Sequence, residues 1–422
     1  MTARKLNEEL AVCDPPPLAY WQGTVGGGPD QLDRRKEEAP VTFDDAAALM
    51  PPQQSALPAD YRLASAQDVF QRISAARQAL GERLLILGHH YQRDEIVCHA
   101  DAMGDSFQLA QCIRDWPRAE AIVFCGVHFM AETAAILAGA HQQVILPHLG
   151  AGCSMADMAD TNAVQQCWQQ LSMVWQQNPH AATSLPPLIP VTYMNSSAAL
   201  KAFCGHHGGI VCTSSNARMV MEWAFARGQR ILFFPDQHLG RNTAHAMCIP
   251  TDQICVWNAA APLGGLTPEQ IMRAKVLLWN GYCSVHQRFS VAQIQAARSR
   301  YPHVRVIVHP ECSQDVVAQA DAVGSTDAII RAIQSASPGQ VFAIGTEINL
   351  VRRLAHHHPE HQIFCLDPVV CPCSTMYRIH PAYLAWVLDG LLEGQVRNRI
   401  RVDAACAAQA HVALSRMLAA RP

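Results

Sequence analysis

Short, nearly continuous apolar runs recur along this chain, and polar side chains follow each of them within a few residues. Leu84-Leu-Ile-Leu87, Ala121-Ile-Val-Phe124, Ile231-Leu-Phe-Phe234, Val-Arg-Val-Ile-Val at 304–308 and Val341-Phe-Ala-Ile344 are the clearest. Runs of this length with little polar alternation are what strands covered on both faces of a parallel sheet require. Between them lie segments of helical period. Ser65-Ala-Gln-Asp68 reads as a helix start, Val69, Phe70, Ile73 and Leu80 as its buried face, and Gly81 as its end. Strands alternating with helices predict an α/β fold built on parallel sheets.

The pattern repeats. In the first third His89 closes an apolar run, Gly104-Asp105-Ser106 opens a helical segment, a second run follows, and Cys153 comes last. In the last third the same order reads His309, Gly324-Ser325-Thr326, Gly345-Thr346-Glu347 and Cys373. Cys153 follows His89 by 64 residues and Cys373 follows His309 by 64; the steps from Ser106 and Thr326 to those cysteines are both 47. A middle copy runs Ile189-Pro-Val-Thr-Tyr193-Met-Asn195, Thr213-Ser214-Ser215, Pro235-Asp236 and Cys283, with about twenty extra residues before its cysteine. We therefore expect three similar α/β/α domains over 69–182, 183–300 and 301–393, arranged around a pseudo-threefold axis. Residues 1–68 read as an irregular N-terminal extension, and 394–422 as a C-terminal helix packed by one face. The segment 245–268 lengthens the middle unit and reads as a surface insertion.

Composition changes this picture only by exclusion. Half of the residues are hydrophobic and 16% charged, enough for buried sheets, while a net charge of −3 provides no basic stripe for nucleic acid. Sixteen cysteines in a chain of this size, without a signal peptide or a long apolar span, are expected to work as metal ligands, catalytic groups or core residues of a cytoplasmic protein.

The candidate chemistry sits where the apolar runs end, because ligands of open α/β sheets gather at the carboxyl ends of strands. His89, Asn195 and His309 occupy matching positions there. Ser106, Ser214 and Thr326 stand at helix starts, where free amides favour an anionic substrate. Glu132, Asp236, Thr346 and Glu347 either line the same centre or brace its loops. Cys153, Cys283 and Cys373 are far apart in sequence, yet equivalent positions in three units around one axis would meet at a single metal centre. Thiolates there would select zinc, copper(I) or an iron–sulfur cluster. Cys98, Cys112, Cys125 and Cys212 read as small core hydrophobes. His356-His-His358 reads as a solvated loop.

Over residues 69 to 393 the sequence resembles the quinolinate synthase family, on Gly-His-His-Tyr (88–91), Gly-Asp-Ser (104–106), Phe-Met-Ala-Glu-Thr-Ala (129–134), Tyr-Met-Asn-Ser-Ser-Ala-Ala-Leu-Lys (193–201), Thr-Ser-Ser (213–215), Pro-Asp-Gln-His-Leu-Gly-Arg (235–241), His-Pro-Glu (309–311) and Ala-Val-Gly-Ser-Thr (322–326). The resemblance implies three α/β/α domains around a central 4Fe-4S cluster held by Cys153, Cys283 and Cys373. It implies condensation of iminoaspartate with dihydroxyacetone phosphate, with L-aspartate oxidase as a functional partner and no nucleic acid or membrane. It implies catalytic roles for Tyr91, His309 and Glu311. Substrate binding falls to His89, Ser106, Tyr193, Met194, Asn195, Ser214, His309, Pro310, Glu311 and Thr326. Some relatives carry Cys-x-x-Cys-x-x-Cys at the third ligand; here the run is Cys371-Pro-Cys373, so Cys371 stays open as an alternative ligand.

Overall fold

Each apolar run forms a strand, and every pairing between named strands is parallel. The structure is a computed structural model that describes residues 54–177, 185–369 and 372–420. The first unit holds β1 (Leu84–His89), β2 (Ala102–Gly104), β3 (Ala121–Cys125) and β4 (Gln143–Ile145), in the order β2-β1-β3-β4. The third holds β10 (Arg305–Val308), β11 (Ala322–Val323), β12 (Val341–Gly345) and β13 (Gln362–Cys365), in the equivalent order β11-β10-β12-β13.

The middle unit holds β5 (Ile189–Tyr193), β6 (Ile210–Cys212), β7 (Ile231–Phe234), β8 (Ile254–Trp257) and β9 (Val276–Trp279), in the order β6-β5-β7-β9-β8. Here the structure corrects the sequence reading. The segment 245–268 is more than a surface insertion, because it supplies β8, a fifth strand paired along β9, whose own Ile254 and Trp257 are buried. Removing β8 leaves the same four-strand order in all three units. The chain is thus α/β, with three parallel sheets flanked by helices.

Helix starts follow local capping chemistry. Ser65 caps helix Ala66–Leu80 in a reciprocal pair with Asp68, and Val69, Ile73, Ala76 and Leu80 form its buried face. Ser106 and Thr326 are first residues of their helices, but the caps are their neighbours Asp105 and Ser325. In the middle unit the helix opens later, at Ala217, and Ser214 lies ahead of it. The capping role thus falls to other residues, and Ser106, Ser214 and Thr326 keep their hydroxyls outside it. His356 and His357 form the last turn of helix Ile348–His357 rather than a loop, and both are exposed.

Long-range helix pairs tie the units together. Helix Ala66–Leu80 packs on Pro381–Leu392, and helix Ala404–Ala419 packs on Ala198–His206 of the middle unit. Helix Ala404–Ala419 buries Ala410, Ala413, Leu414, Met417 and Leu418 in that contact, and Arg416 Nη1 donates to the Gly209 carbonyl at 2.5 Å. Gly205 makes the close approach: a Cβ there would fall inside the radius of the Gln409 carbonyl oxygen. Gly205→Ala is therefore expected to cost about 1–3 kcal/mol through overpacking, read as a lower thermal midpoint with intact secondary structure.

Candidate functional site

All three sheets present their carboxyl ends to one region, and polar side chains from different units bond one another there. Glu311, two residues past His309 at the end of β10, is buried at 3% exposure. Its Oε1 accepts from Tyr193 Oη at 2.5 Å, from the end of β5, and its Oε2 meets His286 Nδ1 at 2.7 Å, from the loop after β9. The His309 ring stacks on His286, centroids 4.3 Å apart and planes 11° from parallel. Tyr91, from the loop after β1, completes the ring. Its hydroxyl lies 2.8 Å from Thr346 Oγ1 and accepts from Thr326 Oγ1 at 3.1 Å, while Thr346 also meets His286 Nε2 at 3.1 Å. His89 stands edge-on to Tyr91, and its Nδ1 accepts the Tyr91 amide at 3.1 Å.

The predicted cysteines meet the same centre. Burial pushes the Cys153 thiol up to about 12, and the charge of Cys373 adds to it. Burial raises Cys283 well above the ordinary thiol range, followed by the charges of Glu311, Cys153 and Cys373. Three thiols that repel one another's ionisation beside a buried carboxylate form a site that only a bound cation would turn into thiolates. Ligand atoms of Cys283, His286 and Glu311 also lie within 4.8 Å of one another, a group able to hold a metal. Cys371 lies outside the described residues, as do residues 1–53 of the extension read as irregular over 1–68; the described remainder, 54–68, holds helix Ala59–Arg62 and buries Leu57 and Tyr61.

Other predicted positions are placed less centrally. Ser106 lines a small apolar cavity with Met130, Thr133 and Met194. Met194 is buried, with its sulfur accepting from Thr133 Oγ1 at 3.6 Å. Asn195 keeps its Oδ1 buried with no hydrogen-bond partner among the described residues, an acceptor held ready for a donor. The Pro310 carbonyl accepts from Asn242 Nδ2 at 2.8 Å, a bond that seats the His309–Glu311 turn on the middle unit. Glu132, Asp236 and Glu347 act as braces. Glu132 accepts the Ala198 amide across the unit boundary, and Asp236 and Glu347 cap the helices that follow them.

Electrostatics separate the ionisable groups. Burial holds His89 at about 3, with Arg353 adding to the effect, and holds His309 at about 3, with His286 adding. Burial alone would raise Glu311, but the charges of His286 and His309 and the hydrogen bonds from His286 and Tyr193 bring it down to about 2. His89 and His309 are therefore neutral imidazoles beside an ionised Glu311 carboxylate at neutral pH. Burial keeps His99, His148 and His380 at about 4 as well. In the unfolded chain each of these histidines takes up a proton below about pH 6.5. The unfolded state then binds more protons, so stability is intact above about pH 6.5 and is lost as pH falls toward the folded values, by up to about 1.4 kcal/mol per unit per histidine. The urea midpoint is expected to drop clearly between pH 7.5 and pH 5; a flat midpoint would show that these rings are not buried neutral.

The family model described as Quinolinate synthetase A protein matches residues 71–419. The chain belongs to that family. Among curated relatives of this family member, the quinolinate synthase of Corynebacterium glutamicum is 61% identical over 371 residues, covering 88% of this chain and 92% of the relative. That of Rhodopirellula baltica is 50% identical, over 86% of this chain and 93% of its own length. That of a Nocardioides species is 52% identical, over 86% and 92%. None of the helices described in the family member is long and apolar enough to cross a membrane.

His286 is the site residue that sequence reasoning passed over. It lies three residues after Cys283 in Cys-Ser-Val-His, and the matching positions are Ala156 and Met376 in the other units. A comparison at that offset was the available signal.

Proposed function

We propose that this family member condenses iminoaspartate with dihydroxyacetone phosphate to give quinolinate, phosphate and water, and that Cys153, Cys283 and Cys373 hold a 4Fe-4S cluster. The observation that carries this reading is Glu311, ionised and buried, bonded by Tyr193 and His286 from another unit within reach of the mutually repelling thiols. Three protein thiolates fit such a cluster and leave one iron open, which supplies Lewis-acid chemistry when bound.

The chain's own residues are assigned as follows. Asn195, with its unsatisfied buried oxygen, and the hydroxyls of Ser106, Ser214 and Thr326 bind polar groups of the substrates. Met194 and Pro310 shape the wall between them, and neutral His89 and His309 donate or accept without adding charge. Tyr91 and Tyr193 are buried phenols whose acidity burial suppresses, so they stay protonated donors. Glu311 takes protons from carbon. It is a weak base while Tyr193 and His286 bond it, and a substrate that draws those donors away leaves it with the basicity that burial imposes. Enclosure by three units excludes water from a hydrolysable imine. L-aspartate oxidase is the assigned source of that imine, in the cytoplasm.

The Cys283, His286 and Glu311 group also suits zinc, the basis of a second reading as a zinc-dependent hydrolase or lyase. Anaerobic purification separates the two. A brown protein with about four irons and matching sulfide that forms quinolinate from the two substrates is expected. A colourless protein with one zinc and no quinolinate would overturn the proposal.

A further inference from the structure

Helix Ile348–His357 carries none of the groups assigned to the chemistry, yet its first two turns reach both sides of the centre. Glu347 caps it, with Oε2 accepting the Asn349 amide at 2.8 Å, and the other oxygen, Oε1, accepts the Cys373 amide at 3.3 Å. Asn349 Nδ2 donates to Glu347 Oε1 and to the Tyr91 carbonyl, both at 3.1 Å. One turn on, Arg353 is 7% exposed and spreads its guanidinium over the loop that carries Tyr91. Nη1 donates to the His90 carbonyl at 2.9 Å, Nη2 to the Gln92 carbonyl at 2.6 Å, and Nε to Asp94 Oδ1 at 2.6 Å.

Three successive carbonyls, of residues 90, 91 and 92, are thus held by one helix of another unit. A buried guanidinium is a costly way to seal a contact between units, and an apolar side chain would do so at less expense of solvation. What the planar fork adds is geometry, because two of its arms fix two carbonyls at once. Tyr91 is then held at both ends by the third unit. Its own carbonyl is held by Asn349 and the carbonyls on either side by Arg353, and its phenol by Thr346 and Thr326, with Thr346 adjoining the capping Glu347.

We propose that Asn349 and Arg353 are positioning residues that clamp the 89–94 loop, set the Tyr91 hydroxyl in the centre, and link its position through Glu347 to the loop bearing Cys373. The catalytic part of this inference rests on the function proposed above; the clamp itself does not.

The test compares wild type, Asn349→Ala, Arg353→Lys and Arg353→Ala as anaerobic, iron-counted proteins, with hydrogen exchange followed at residues 90–94. Per iron-loaded molecule, kcat is expected to fall about 10- to 100-fold in all three variants through misplacement of Tyr91. KM is expected to move by less than about threefold. Exchange at 90–94 is expected to rise about tenfold or more while the three sheets keep their protection. Millimolar guanidinium is expected to restore part of the rate in Arg353→Ala and none in Arg353→Lys, whose ammonium fills the space without the fork. Unchanged kcat in Asn349→Ala and Arg353→Ala overturns the proposal, and so does exchange that rises equally in all three sheets, the mark of a merely structural role. Should wild type itself form no quinolinate, the functional reading falls. The exchange experiment then still decides, with local loosening at 90–94 supporting the clamp and unaltered exchange there overturning it.

Discussion

Anaerobically purified Cys283→Ala protein is expected to retain no stoichiometric iron, to lose the brown absorption and to form no detectable quinolinate. Cys283 is the thiol most entangled with its surroundings. Burial raises its pKa most, and the charge of Glu311 and the ionisation of Cys153 or Cys373 would raise it further, so these groups share one space. On the proposed assignment, removing one of the three thiolates would leave the cluster two, and the buried carboxylate would face an apolar methyl group. Cys153→Ala and Cys373→Ala are expected to behave alike, since both thiols are raised by burial and Cys373 opposes ionisation of both Cys153 and Cys283. Iron and sulfide counts with absorption spectra check the set. A Cys283→Ala protein that keeps a full complement of iron would show that the thiol is not a ligand.

Glu311→Gln is expected to keep its iron and lose about 10²- to 10⁴-fold in kcat, the range a positioned proton-transfer group supplies. Gln is nearly the same size and still accepts from Tyr193 through its carbonyl oxygen, so the geometry survives while the proton acceptor is gone. Its amide group would face His286 Nδ1, where the carboxylate Oε2 now lies at 2.7 Å. Tyr193→Phe is expected to act more mildly and in a diagnostic direction. Deleting the 2.5 Å donor removes one of the influences that hold Glu311 at about 2, so the acid limb of the pH–rate profile should move up. Steady-state rates over pH 5–9 on iron-counted protein check both. A Gln variant with wild-type kcat would transfer the proton step to another group.

Much of this was legible in the chain. Strands β1, β3, β7, β10 and β12 are apolar runs because both faces of each sheet are covered, and burial along β1, β3 and β7 is complete. The cysteines were readable because duplicated units preserve offsets, and the 64-residue step survived in two of them. The centre's detail was harder to see. Asp105 rather than Ser106 caps its helix because Gln108 stands three residues on and returns a bond to the Asp105 amide, which settles the register between two good caps. Ser325 wins over Thr326 in the same way by reaching the Ala328 amide, and this frees the Thr326 hydroxyl for Tyr91. Helix Ile348–His357 was invisible as a brace because its partners, the carbonyls of residues 90 to 92, carry no sequence signature.

The packing of helix Ala404–Ala419 on helix Ala198–His206 has a consequence for biosynthesis. Helix Ala404–Ala419 covers the middle unit, with Gly205 and Gln409 in close approach across the pair. During synthesis the strands of that unit leave the ribosome roughly 125 to 215 residues before the helix that covers them. The middle unit must therefore wait with an apolar face open, in reach of chaperones, until helix Ala404–Ala419 has been made. A variant lacking helix Ala404–Ala419 is expected to be stranded in that open state and degraded, although no residue of the centre has been removed.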